Sequence, residues 1–171
     1  MARLFLQTLY SYRRQGKFRL HAFVLMPEHF HLLLTPSEIA LERAMQFVKG
    51  GFSHAVRERL GNTMGIWERG FTDHRIRDAE DFAHHRIYIH RNPVARKLVM
   101  EPPEFRYCSA FPGFKLDPWP SATQQMNEKR AQGVGSSPRA LKRDVFFRDL
   151  AARLKSCLSR NALDPEFFCE L

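Results

Sequence analysis

The sequence predicts an α+β fold, and three observations carry that expectation. Apolar residues recur with a helical period at the start of the chain. Two adjacent segments then alternate with the period of two of a pleated strand, and helical periodicity returns twice beyond them.

Residues Ala2 to Gln15 carry Leu6, Leu9, Tyr10 and Arg13 at helical spacing, and Gly16 supplies the stop. From Phe18 to Leu25, the set Leu20, Ala22 and Val24 alternates with His21, Phe23 and Leu25, which predicts a strand with the two sets on opposite faces. Pro27, within Met26-Pro27-Glu28, denies a ladder a donor, so the strand breaks there and resumes from His29 to Thr35 as an antiparallel hairpin partner. A second helix is expected from about Ser37 to Leu60, with Met45, Val48, Phe52 and Val56 as its buried stripe and Gly61 as its end. Gly50-Gly51 inside it costs roughly 1 kcal/mol per glycine relative to alanine, so something is expected to pack closely there.

Gly65 to Arg77, with Trp67 and Phe71, reads as a short strand or an irregular connection. Asp78, followed by Asp81, has the form of a capping box opening a third helix that runs to about Arg91, and Pro93 should end that helix or start a new one. Beyond Glu101 the prolines 102, 103, 112, 118 and 120 punctuate a loop that drapes over the core. The resulting division is one domain over residues 1–120, a polar linker over 121–138, and a basic helical C-terminal tail over 139–171. The tail rests on Val145, Phe146, Leu150 and Leu154 at helical spacing.

Composition narrows the class of function. No apolar run approaches a membrane span and no charged-then-apolar leader opens the chain, so no membrane partner is expected and a cytoplasmic location is the default. Three cysteines without a CxxC argue against a disulfide framework or a cysteine zinc site. Lys and Arg outnumber Asp and Glu by 27 to 18, a net charge of +9, which points to a polyanionic partner and first of all to nucleic acid.

Two clusters could carry chemistry. On a strand, His29 and His31 point to one face while Phe30 enters the core, so both imidazoles can reach one ion. Alone, the triplet reads equally well as two histidines lining a polar sheet face. Tyr88 lies on the third helix, and Asn92, four residues on, shares its face. A tyrosine phenol in water, with a pKa near ~10, is mostly protonated at neutral pH. As a nucleophile it needs a polarised phosphate, nearby positive charge or a base, and Arg86, His90, Arg91, Arg96 and Lys97 provide the charge. Taken alone, Tyr88 reads as a tyrosine packed at a domain edge. Taken together, a paired-histidine strand, a helix bearing Tyr and Asn, and a basic surface are what nicking of DNA by a tyrosine requires.

Three segments resemble a known family. They are the run from His21 to Leu34 with its Pro27-Glu28-His29-Phe30-His31 centre, the run Trp67-Glu68-Arg69-Gly70-Phe71-Thr72-Asp73-His74, and Tyr88-Ile89-His90-Arg91-Asn92-Pro93-Val94. Lys49-Gly50-Gly51 and Arg106-Tyr107-Cys108-Ser109-Ala110 are similar too. The family is that of the IS200-like, single-tyrosine HUH transposases, in their REP-associated branch, and the resemblance covers roughly Ala2 to Trp119. It implies a ferredoxin-like antiparallel sheet with helices on one face. It also implies His29, His31 and Asn92 as ligands of Mg²⁺ or Mn²⁺ and Tyr88 as the nucleophile. Single-stranded DNA beside REP-like hairpins would be the substrate, cut through a 5′-phosphotyrosine, by a monomer or a homodimer in a nucleoid-associated setting. Arg69, His74, Arg86, His90, Arg91, Arg96 and Lys97 would contact the DNA, while core packing is expected of Trp67 and Phe71.

The chain departs from that pattern in one respect. The family carries a strand before the first helix, central in the sheet and beside the histidine strand, which here is missing from the start of the sequence. Either the chain is a truncated or mis-started copy, or another segment fills the gap; the missing strand also favours a rival function, an inactive copy that binds hairpins without turnover. A hydrolase acting on a small phosphoester through His29 and His31 is the third reading, and it leaves the basic surface and the tyrosine helix without a purpose.

Overall fold

The computed structural model describes residues 1–61 and 65–119 and the backbone of 145–148. Helix α1 (Ala2–Arg14) leads into strand β1 (Phe18–Leu25), hairpin partner β2 (Phe30–Pro36) and helix α2 (Leu41–Leu60). Strand β3 (Thr72–Arg75), helix α3 (Ala79–Ala95), a 3₁₀ turn (Pro102–Glu104) and strand β4 (Val145–Arg148) follow. The architecture is α+β, as the periodicities predict. Gly16 closes α1 with φ 69° and Gly61 closes α2 with φ 63°, left-handed conformations that favour glycine.

Strands β1 and β2 are antiparallel, with Phe18 opposite Pro36 and Leu25 opposite Phe30. The register slips between Leu20 and Ala22, a bulge that sets one extra residue, His21, against the partner strand. Its consequence is a phase change that simple alternation does not anticipate. Leu20 joins Phe23 and Leu25 in one apolar cluster, and Ala22 and Val24 lie in the other. His21 fills the bulge by bonding Thr35 Oγ1 at 2.7 Å and the Asp117 carbonyl at 2.8 Å.

The two clusters flank the hairpin. Leu25, Phe30, Leu32 and Leu34 pack with Phe5, Leu9, Met45, Val48 and Phe52 of α1 and α2. On the other side Val24 and Leu33 pack with Phe82 and Ile89 of α3. Helices therefore cover both faces, correcting the expectation that they lie on one. The cause is visible in β2, where all seven residues are buried, so neither face can be left to water.

Strand β4 lies between β2 and β3 in the order β1-β2-β4-β3, antiparallel to both. Leu34 faces Val145 and His31 faces Arg148 across one ladder, and Thr72 faces Arg148 across the other. The place beside the histidine strand is thus filled from the far end of the chain. This corrects the expected helix there for Val145–Arg148. The Val-Phe-Phe run suits a pleated surface better than a helix, and an open β2 edge offers it a full ladder. The linker and the rest of the expected tail lie outside the described residues.

The outer edge of β1 is covered by the returning chain. Leu25 N–H donates to Tyr107 O, Ser109 N–H to Phe23 O and Asp117 N–H to Leu20 O, at 2.8–2.9 Å. One glycine of the pair also finds its reason. A Cβ on Gly51 would stand 2.5 Å from Cε2 of Tyr12, so α1 and α2 approach closely there, while Gly50 faces open space. No helix among the described residues is long and apolar enough to cross a membrane.

Candidate active site

The hairpin turn brings the first histidine into place. Met26 N–H donates to the carbonyl of His29 at 2.8 Å, closing the turn through Pro27 and Glu28, and β2 starts at the next residue. Phe30 packs against Phe5 and Trp67, with ring centroids 5.0 and 5.5 Å away, which anchors the strand from the α1–α2 side. Alternation then commits His31 to the opposite face, where α3 lies.

There the structure brings three of the expected residues together. The His29 and His31 rings stand 4.9 Å apart at 78°, and the His31 and Tyr88 rings 5.4 Å apart at 75°. His31 is fully buried and His29 nearly so, whereas Tyr88 is 42% exposed. The nucleophile candidate is therefore open to an incoming strand, while the histidines are sheltered behind it. Asn92 is buried one turn beyond Tyr88, on the same face of α3. The donors fit a divalent ion: two imidazole nitrogens and an amide oxygen are ligands that Mn²⁺, Zn²⁺ or, with added oxygen ligands, Mg²⁺ accepts.

Helix α3 is longer than its sequence suggests. It passes through Pro93 to Ala95 and ends where Lys97 adopts φ 57°. Pro93 removes one amide donor without breaking the turn, so Asn92 stays helical and keeps its place below Tyr88. At the other end Asp78 accepts the Asp81 amide at 2.9 Å, the first half of the expected capping box. The reciprocal bond goes one residue earlier, from Arg77 N–H to the Asp81 carboxylate at 3.0 Å.

The basic residues divide into two groups. Arg69, Arg86, Arg91, Arg96 and Lys97 are all exposed, and the last four ride on or just beyond α3. His90 instead turns inward, its Nε2 3.0 Å from Ser109 Oγ. Burial, helped by the charge of Arg86, holds its pKa below the ordinary histidine value. Ser109 Oγ also accepts the Phe23 amide, so this one hydroxyl joins α3 to β1. His74 meets Asp81 and His85.

Trp67 and Phe71 pack against the α1–α2 core, as expected. The Trp67 indole donates to the Lys49 carbonyl at 2.8 Å, and the Lys49 ammonium returns to the carbonyls of Glu68 and Gly70. That clasp gives Lys49 a structural role in joining α2 to the segment after Trp67. The partnership of Asp81 and His85 goes beyond the residues expected at the site, although their four-residue spacing on a helix is a usable signal.

Fold and site together define a paired-histidine strand facing a tyrosine helix. Residues 1–92 match the family model described as "Transposase IS200 like", and the chain belongs to that family. Among curated proteins, the REP-associated tyrosine transposase of Escherichia coli K12 is 32% identical over 91 residues, 52% of this chain and 52% of that protein. A Haemophilus influenzae protein, also named as a REP-associated tyrosine transposase, is 30% identical over 111 residues, 58% of this chain and 62% of its own length. The chain thus spans between half and two thirds of these relatives. No solved structure matches it significantly.

Proposed function

We propose that the chain is a metal-dependent nuclease and strand transferase acting on single-stranded DNA beside hairpins. The observation that carries this reading is the Tyr88 ring set 5.4 Å from buried His31, itself 4.9 Å from His29, with Tyr88 42% exposed. His29, His31 and Asn92 would hold a divalent ion, Mg²⁺ or Mn²⁺, whose chemistry is to withdraw charge from the scissile phosphate. Tyr88 would attack the phosphorus through Oη, losing its proton to solvent. The bond to the 3′ oxygen breaks, and that oxygen leaves with a proton. The tyrosine keeps the 5′ phosphate, so a later 3′ hydroxyl can reverse the exchange without ATP.

Arg86, Arg91, Arg96 and Lys97 supply the positive surface along which the strand would run. The names of the relatives support REP-type hairpins as the substrate. The position of β4 beside β2 supports the active reading over that of an inactive copy.

The test is a labelled hairpin oligonucleotide incubated with the chain and Mg²⁺ or Mn²⁺, then run on a denaturing gel. A shifted covalent band is expected, and Tyr88→Phe should lower its yield by at least 10³-fold, roughly the scale of losing a nucleophile. Undiminished nicking by Tyr88→Phe would sink the tyrosine mechanism. Hairpin binding without any covalent product, under either metal, would favour the inactive copy.

A further inference from the structure

We propose that His74, Asp81 and His85 form a second metal site, separate from the histidine pair, for a borderline dication such as Zn²⁺, Co²⁺ or Ni²⁺. One ligand atom from each residue lies within 4.8 Å of the other two. The Asp81 carboxylate stands between the imidazoles, with Oδ2 3.3 Å from His74 Nε2 and Oδ1 3.0 Å from His85 Nδ1. The set joins two elements: His74 comes from β3, and Asp81 and His85 occupy one face of the first turns of α3.

His85 Nδ1, 3.0 Å from the Asp81 carboxylate, also lies 2.8 Å from the Asp81 carbonyl, so binding an ion through this nitrogen exchanges that hydrogen bond for the metal. Burial works against ionisation of Asp81. The Arg77 amide and the two histidines outweigh it, and the carboxyl stays below its ordinary range.

Geometry says what must move. The His74 and His85 rings are stacked, 4.6 Å apart and 17° from parallel, so their lone pairs do not yet converge. A tetrahedral ion holds its donors about 3.4 Å apart, so the set has to contract by roughly an ångström. His74 can do this, since its side chain is 42% exposed, against 19% for His85. Two imidazoles and one carboxylate select Zn²⁺-like ions over Mg²⁺, and leave a fourth position for water or a phosphate oxygen. Asp81, His85, Tyr88 and Asn92 follow at steps of four, three and four along α3, one stripe of the helix. The ion would therefore pin β3 to the helix that carries Tyr88, about one turn from that residue.

The experiment counts Zn²⁺ per full-length chain by native mass spectrometry, after chelator stripping, reloading in excess Mg²⁺ and desalting. His74→Ala and His85→Ala should each bind one ion fewer than the wild type, whatever number the wild type holds. Because both variants keep His29, His31, Tyr88 and Asn92, the result is independent of the proposed cleavage site. An unchanged count in both would overturn the proposal and leave the cluster as a hydrogen-bonded helix cap. If His85→Ala fails to fold, Zn²⁺ protection of His74 and His85 from diethyl pyrocarbonate in the wild-type chain decides the matter. Equal modification with and without Zn²⁺ would overturn it as well.

Discussion

The Asp117 carboxylate takes two N–H groups from Arg13 and the amide of Leu20, each at 2.7 Å, and so ties α1, β1 and the returning chain at one point. Burial opposes its ionisation, but Arg13 and the Leu20 amide hold its pKa below the ordinary carboxylate value. Asp117→Ala should cost about 2–3 kcal/mol at neutral pH, as hydrogen bonds to a charged group are lost and a backbone donor is stranded. A depressed carboxyl pKa gives stability that is complete above the unfolded value of about 3.9 and disappears as pH falls through the lower folded value. Urea denaturation of the two proteins should therefore show a constant gap from neutral pH down to the unfolded value, narrowing as pH falls from there through the folded value. A gap that closed near pH 6 would assign the effect to another group. At this scale the sequence was readable where chemistry repeats a pattern, as in His29, His31 and Tyr88. It was not readable for His90, whose inward turn depends on Ser109 arriving from a distant loop.

Elements divide along the same line, between local signals and imposed ones. The α1 and α2 ends and the β1 boundaries follow from glycine stops and alternation, and the structure keeps them close to where the sequence put them. The phase of β1 does not follow, because the bulge at His21 is stabilised by Thr35 and Asp117, which no local pattern announces. Within α2 the two glycines separate a propensity effect from a packing effect. Gly50→Ala meets nothing within 4 Å and should stabilise the protein by about 1 kcal/mol. Gly51→Ala gains the same propensity but drives a Cβ to 2.5 Å from the Tyr12 ring. Repacking of about 1–3 kcal/mol should cancel or reverse that gain. Thermal melts should accordingly rank Gly50→Ala above wild type and Gly51→Ala below Gly50→Ala. Equal melting of the two variants would show that Tyr12 yields freely.

At the scale of the whole molecule, the sheet is completed by a strand that sequence position alone would never pair with β2. Helical spacing of apolar residues hid it, since a four-residue strand is too short to establish a period of its own. Phe147 lies opposite Leu32 on one side and Asp73 on the other, so it has neighbours on both edges. Phe147→Pro should strip a ladder donor and strand its partner carbonyl, costing about 1–3 kcal/mol and lowering the melting temperature. A melting curve identical to wild type would mean that β4 contributes nothing to the sheet. The order of synthesis gives this arrangement a further meaning. A ribosome delivers the chain N-terminus first, at about 5–20 residues per second, so the histidine pair and the tyrosine helix exist for seconds before residue 148 is made. During that interval β2 has an unpaired edge beside His31. A nascent chain would hold every residue of the proposed site and still lack the strand beside it, so under the proposed function cutting would wait until residue 148 has been made.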